Sequence, residues 1–329
     1  MKVAAIQAEP VWFDLQSGVK KACALIREAA SNGAELVGFP ESFIPGYPMA
    51  IWAQPFNPAY LAKYQKNCLS VQSSEFQELL EATKEAGIWV VIGFCELDGG
   101  SMYAAQVVIN SEGVVVLHRR KLKATGQERT LWGDAPADSL QSAVKGPGGV
   151  IIGGLNCWEH LQPLLRFHHY SLGVQIHVAS WPYCDSVANG APPAFSSDAQ
   201  IVQAKFAALE GQMFVISSTQ MLSSKNAELC GVKNSGPWEM PMGGGFAAIY
   251  GPDGTQLTST TSPDEETILY ADIDLDAART AKLVADPVGH YSRPDLLTLK
   301  VNTRPNPLVS YEGPEAESTL LGRLSQSRA

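Results

Sequence analysis

Residues 150–160 read Val-Ile-Ile-Gly-Gly-Leu-Asn-Cys-Trp-Glu-His, an apolar run that passes directly into a polar turn. The turn signal Gly146 to Gly149 precedes it, so Val150 to Asn156 reads as a short buried strand. Residues 158–172 carry a helix pattern, with Pro163 in the first turns, where proline is tolerated. Cys157 therefore stands at a strand-to-helix junction, the sheet edge of a layered α/β fold. Free N–H groups and partial positive charge at a helix start favour thiolate and also suit a developing oxyanion. Gly153 and Gly154 permit close backbone approach. The alternative is a cysteine buried at a strand end, and local context alone leaves both readings open.

Outward from this stretch the same alternation recurs. Val3 to Ile6, Leu36 to Phe39, Ile88 to Phe94, Ala104 to Ile109, Val114 to Leu117, 175–181, 213–218, Phe246 to Tyr250 and 267–273 read as strands. Residues 16–31, 74–86 and 196–210 read as helices, the first with Val19, Cys23, Ile26 and Ala30 on one face. Asn110 to Gly113 suits a hairpin turn. Strands alternating with helices imply an α/β fold, and the hairpin makes its sheets mixed. No linker divides the chain, so one domain over 1–303 is expected, followed by a Pro-, Glu- and Ser-rich tail over 304–329 that reads as extended or mobile.

Hydrophobic residues make up 45% of the 329, enough for a large core, and the net charge of -9 is spread rather than blocked. Without a basic patch, nucleic acid and anionic membranes are poor partners. The start, MKVAAIQAEP, lacks a signal-peptide run, and no stretch of about 18 apolar residues could span a membrane. Cys23, Cys68, Cys95, Cys157, Cys184 and Cys230 are too dispersed for a disulfide framework. A cytoplasmic protein with free thiols is expected.

A nucleophilic cysteine needs a base and a positive charge. None of the six histidines is marked as that base; His160, three residues on, either faces Cys157 or caps the helix. Glu41 follows the strand Leu36 to Phe39, in a loop stiffened by Pro40, Pro45 and Pro48. Lys121 follows the strand Val114 to Leu117 within Arg119-Arg120-Lys121-Leu122-Lys123. The blander readings are a solvated loop carboxylate, an exposed basic cluster and, for Glu128-Arg129, a surface pair. Glu, Lys and Cys at the C-terminal ends of three strands nevertheless form a complete set of base, ammonium and nucleophile, at the edge where α/β folds bind ligands.

On these residues the chain resembles the nitrilase superfamily of carbon–nitrogen hydrolases. The matching segments are FPESFIPGYP (39–48), HRRKLKATGQERT (118–130) and GGLNCWEH (153–160), in the family's order. HVASWP (177–182) and DPVGHYSRPD (286–295) resemble the nitrilase branch proper, and residues 156–167 resemble arylacetonitrilases. The resemblance implies a four-layer αββα sandwich with two mixed sheets. It implies Glu41 as general base, Lys121 as catalytic lysine, Cys157 as nucleophile and Glu128 as a second glutamate that positions substrate and lysine. The substrate implied is a small organic nitrile, with no cofactor and no metal. Ala124 and Gly126 stand where related nitrilases often have Pro and His, departures that bear on specificity. Trp52, Trp158, Trp181 and Tyr183 are candidate walls of an aromatic substrate pocket. The family also implies a homo-oligomer, dimers extending into spirals or filaments through insertions at Ile51 to Cys68 and Leu222 to Pro241.

Close alternatives are a cyanide hydratase or dihydratase, and an amidase or carbamoylase with the same triad. A nucleotide- or metal-binding protein is disfavoured. Gly243 to Gly245 lack the G-x-G-x-x-G spacing, and His160, His168, His169 and His177 find no acidic or cysteine partner at ligand spacing.

Overall fold

Lys2–Ala8 form the first strand, β1, and its alternating side chains define the layers. Val3 and Ala5 face a second sheet, whereas Ala4, Ile6 and Ala8 face helices. A computed structural model describes residues 1–53, 56–232 and 243–304. The expected mobile tail lies, beyond residue 304, outside the described residues, as does 233–241 of the second expected insertion.

Around β1 runs a mixed sheet built from β2 (Leu36–Gly38), β3 (Trp89–Asp98), β4 (Ser101–Ile109), β5 (Val115–Arg120) and β11 (Thr267–Asp272). Its order is β5-β4-β3-β2-β1-β11, with β1, β2 and β3 parallel and the others antiparallel to their neighbours. The second sheet contains β6 (Ala143–Lys145), β7 (Ile151–Asn156), β8 (Ile176–Trp181), β9 (Phe214–Gln220) and β10 (Ala248–Tyr250). Here β7, β8 and β9 are parallel, flanked by antiparallel β6 and β10. The two sheets join where Gln7 and Ala8 of β1 pair with Thr219 and Gln220 of β9, making one continuous eleven-stranded ladder that doubles over on itself.

Alternation repeats strand by strand. Val91, Val108, Ile152, Ile176, Val178, Ile216, Ile249 and Leu269 meet between the sheets. Val90, Ile92, Val107 and Phe94 point to the outer face of the first sheet. That face is covered by α1 (Leu15–Ser31) and α3 (Ser74–Ala86), which pack side by side through stripes such as Val19, Ala22, Ile26 and Phe76, Leu79, Ala82. Asp14 and Ser73 cap these helices, and Gly87, at φ +66°, ends the second. α4 (Pro163–Ser171) and α5 (Ser197–Gly211) cover the other sheet against Ala179, Trp181 and Val215. The result is the αββα layering. Each large aliphatic side chain between the sheets contributes about 1.5–3 kcal/mol by burial.

The expected strands and helices are present, with shifted ends. Three elements were not foreseen: α2 (Pro58–Gln65), β6 and α6 (Leu275–Ala285). The helix expected at 158–172 divides in two. A 3-10 turn, Cys157–Leu161, ends at Gln162, and α4 begins at Pro163, whose missing N–H suits a helix's first position. All six cysteines are free and buried. Among the described residues no helix is long and apolar enough to cross a membrane.

Candidate active site

The C-terminal ends of the parallel strands converge where polar side chains link the two sheets. Gln106 of β4 donates to Ser180 Oγ of β8 at 2.9 Å, and Ser180 Oγ donates to Phe39 O at 2.8 Å. Gly154 leaves space for that glutamine, since a Cβ there would lie 2.4 Å from its Oε1.

Glu41 is carried on a loop zipped along β3. Phe43 N donates to Gly93 O and Cys95 N to Ile44 O, both at 2.8 Å. Gly93 is required there because a Cβ would stand 2.6 Å from Pro40 O. The β5 alternation puts Leu117, Arg119 and Lys121 on the buried side, while His118 and Arg120 turn to Glu96 on the other. Glu128 sits in a 3-10 turn, Gly126–Thr130, where its Oε2 accepts from Thr125 N at 2.7 Å. Cys157 follows β7 at φ +46°, a left-handed conformation costly for a residue with a Cβ. That turn lifts its side chain out of the ladder.

The four groups meet. Lys121 Nζ donates to Glu41 Oε1 at 2.8 Å and to Glu128 Oε2 at 2.9 Å. Oxygens of both carboxylates and Cys157 Sγ lie within 4.8 Å of one another. Such a trio resembles a metal site, but the cation already seated on both carboxylates is the lysine's own. Tyr47 OH donates to Glu128 Oε1 at 2.7 Å, and Trp52 Nε1 donates to Tyr47 OH at 3.1 Å.

Burial, opposed by Lys121 and reinforced by Glu128, raises the Glu41 carboxyl to about 7. Burial alone would lower Lys121, but the Glu128 and Glu41 carboxylates outweigh it and hold the ammonium well above its ordinary range. Burial, with the Glu41 charge beside it, pushes the Cys157 thiol well up. The resting pair is thus thiol and lysine ammonium, with a carboxylate suited to exchange a proton near neutrality.

Trp52, Trp158 and Tyr183 line a narrow cavity of about 50 Å³ that reaches Cys157 and Glu128. Phe195, which the sequence did not mark, stacks on Trp158 (4.8 Å) and meets Trp52 edge-on (5.0 Å). Gly126, at φ +52°, is packed by Trp52, whose ring would lie 2.9 Å from a Cβ there. Trp181 is placed elsewhere than in the pocket wall. It is wholly buried and stacks on His160 at 4.7 Å, because β8 parity turns it toward the helix layer.

Beneath the cysteine lies a hydrogen-bonded histidine chain that sequence reading missed. Cys157 O is 2.6 Å from His160 Nδ1; His160 Nε2 is 2.8 Å from His177 Nε2; His177 Nδ1 is 2.9 Å from His169 Nε2; His169 Nδ1 is 2.7 Å from Ser142 Oγ. A carbonyl only accepts, so the donors run one way: His160 Nδ1, His177 Nε2, His169 Nε2, then Ser142 Oγ. Burial lowers all three histidines, His160 to about 4, so the chain is neutral. Their nitrogens are spent on one another, which removes the metal reading of these residues.

Arg119 and Glu159, neither singled out as functional, form a fully buried ion pair at 2.6 Å. The arginine is therefore no surface charge. Asn156-x-x-Glu159 has capping-box spacing, a signal that marks the glutamate in sequence.

A family model described as carbon–nitrogen hydrolase matches residues 2–283. A nitrilase of Penicillium rubens is 46% identical over 96% of this chain and 97% of its own. A cyanide hydratase of Armillaria gallica is 45% identical over 96% and 90%. The crystal structure of the C. elegans NitFhit protein shares the fold with a TM-score of 0.71 at 18% identity, covering 93% of this chain and 68% of that one.

Proposed function

This chain belongs to the carbon–nitrogen hydrolase family, in its nitrilase branch, and from that premise we propose that it hydrolyses an arylacetonitrile-type substrate to acid and ammonia. The carrying observation is the contact of Glu41, Lys121 and Glu128 beside Cys157 at the floor of an aromatic cavity.

Glu41 accepts the thiol proton through Oε2, the oxygen not engaged by Lys121. Sulfur attacks the nitrile carbon, and the nitrogen gains the proton to give a thioimidate. Lys121 and the Trp158 N–H at the start of the 3-10 turn stabilise the charge that grows on nitrogen. Glu41 then activates water, which adds to the same carbon. Ammonia leaves, a thioester remains, and a second water releases the acid and restores the thiol. Glu128 receives Lys121 from the other side and holds it in place.

Trp52, Trp158 and Phe195 offer faces on which an aromatic substituent stacks. The narrowness of the cavity favours a second reading, hydration of cyanide itself. Ammonia, acid and amide released from phenylacetonitrile, butyronitrile, cyanide and the matching amides discriminate among these. Turnover of amides alone would refute the nitrilase reading.

Self-association belongs to the same proposal. Val202, Phe206 and Leu209 form an exposed stripe on α5, and Leu164 of α4 is exposed as well. Light scattering at micromolar concentration should give more than a monomer's mass, and finding monomers alone would refute it.

A further inference from the structure

We propose that Glu159 is a positioning residue that sets the placement of Lys121 against Cys157 and thereby governs whether the reaction ends in acid or amide. The inference rests on the nitrilase reading and extends it to product choice.

The glutamate is completely buried and uses both oxygens on both catalytic strands. Oε1 accepts from Arg119 Nη2 at 2.6 Å and from Leu122 N at 3.0 Å, residues on either side of Lys121. Oε2 accepts from Arg119 Nη1 at 2.8 Å and from Asn156 N at 2.9 Å, the residue just before Cys157. One rigid carboxylate therefore spans from the β5 end, in the first sheet, to the β7 end, in the second. Neither of its oxygens contacts Lys121 or Cys157 in any of these bonds, so its effect is on their backbones.

Only an ionised carboxylate fits four donors. A glutamine would turn an NH₂ toward Arg119 and one backbone N–H. An aspartate would fall short by one C–C bond, about 1.5 Å. Either change lets the two strand ends drift.

The tetrahedral intermediate carries sulfur, OH and NH₂ on one carbon, and two bonds compete to break. If nitrogen takes a proton, the C–N bond breaks, ammonia leaves and a thioester remains for hydrolysis to acid. If sulfur leaves, the C–S bond breaks, the thiolate is reprotonated and the amide departs. Proton delivery to nitrogen requires the Glu41–Lys121 pair to be aligned with the carbon held on Cys157. Sulfur departure makes no such demand. Loosened alignment therefore favours amide.

The test compares wild type with Glu159→Gln, Glu159→Asp and Arg119→Lys, on whichever nitrile of the panel wild type converts best. Acid and amide are quantified by chromatography, and folding is followed by circular dichroism. Expected are folded variants whose amide fraction rises several-fold, with kcat lower by up to about 10²-fold and KM within about threefold. A folded variant with an unchanged product ratio overturns the proposal, whether or not kcat falls. Loss of folding in all three also overturns it, in favour of a pair that only holds the fold. Failure of wild type on every nitrile overturns the nitrilase reading itself, and the proposal with it.

Discussion

Lys121 Nζ lies 2.8 Å from Glu41 Oε1, while Oε2 of the same carboxylate is buried without a hydrogen-bond partner among the described residues. One oxygen is anchored and the other is uncommitted, in a carboxylate that lies within 4.8 Å of Cys157 Sγ. A buried carboxylate oxygen is expensive to leave unpaired, and this asymmetry fits the role proposed for Glu41, receiving the thiol proton.

Glu41→Gln keeps the shape and removes the base. Turnover should fall by about 10²–10⁴-fold, the usual worth of general base catalysis, with the fold intact. Steady-state ammonia release measures this, and a loss of less than about threefold would contradict the assignment.

The raised Glu41 pKa gives two signed consequences. The base form gains ground above about 7, so kcat/KM should climb through that value, and a flat profile across it would count against the role. Stability runs the other way. Folding lifts this group from 4.5 to about 7, so its stabilising share is complete below 4.5 and lost as pH rises through 7. Denaturant titrations should therefore show wild type losing stability relative to Glu41→Gln across that window.

Much of the site was legible because its three central residues each end an apolar run. Strand ends are readable from Val, Ile and Leu patterning, but the αββα layers came from the family resemblance, because the central strands are buried on both faces and show no alternation. What could not be read was which parity opens on the cavity. Trp181 and Tyr183 are two residues apart, yet Trp181 lies under the helix layer and Tyr183 in the pocket. Arg119 looked like a surface charge because its partner is 40 residues away. β6 has three residues, and α6 buries only Ala278, so neither shows a periodic stripe. Phe195 reaches the site from a loop of Pro, Ala and Gly that carries no pattern.

Tyr47→Phe removes the hydroxyl that donates to Glu128 and accepts from Trp52. A hydrogen bond to a charged group is worth about 1.5–3 kcal/mol, so kcat should fall roughly 10- to 100-fold if Glu128 positions Lys121. An unchanged kcat would show that Glu128 needs no such support.

His177→Phe cuts the histidine chain at its centre and leaves the facing Nε2 atoms of His160 and His169 unpaired. Each buried unpaired group costs about 1–3 kcal/mol, so urea denaturation should register a loss of roughly 2–6 kcal/mol. Activity should fall as well, because His160 then holds the Cys157 carbonyl less firmly. Full stability in the variant would contradict the one-way chain.

The central claim is that Cys157, and no other thiol, takes the nitrile carbon. Ammonia release from the best nitrile should be abolished in Cys157→Ala and largely retained in Cys95→Ala and in Cys184→Ala, although Cys184 lines the same cavity. Undiminished ammonia release by Cys157→Ala would contradict the whole account.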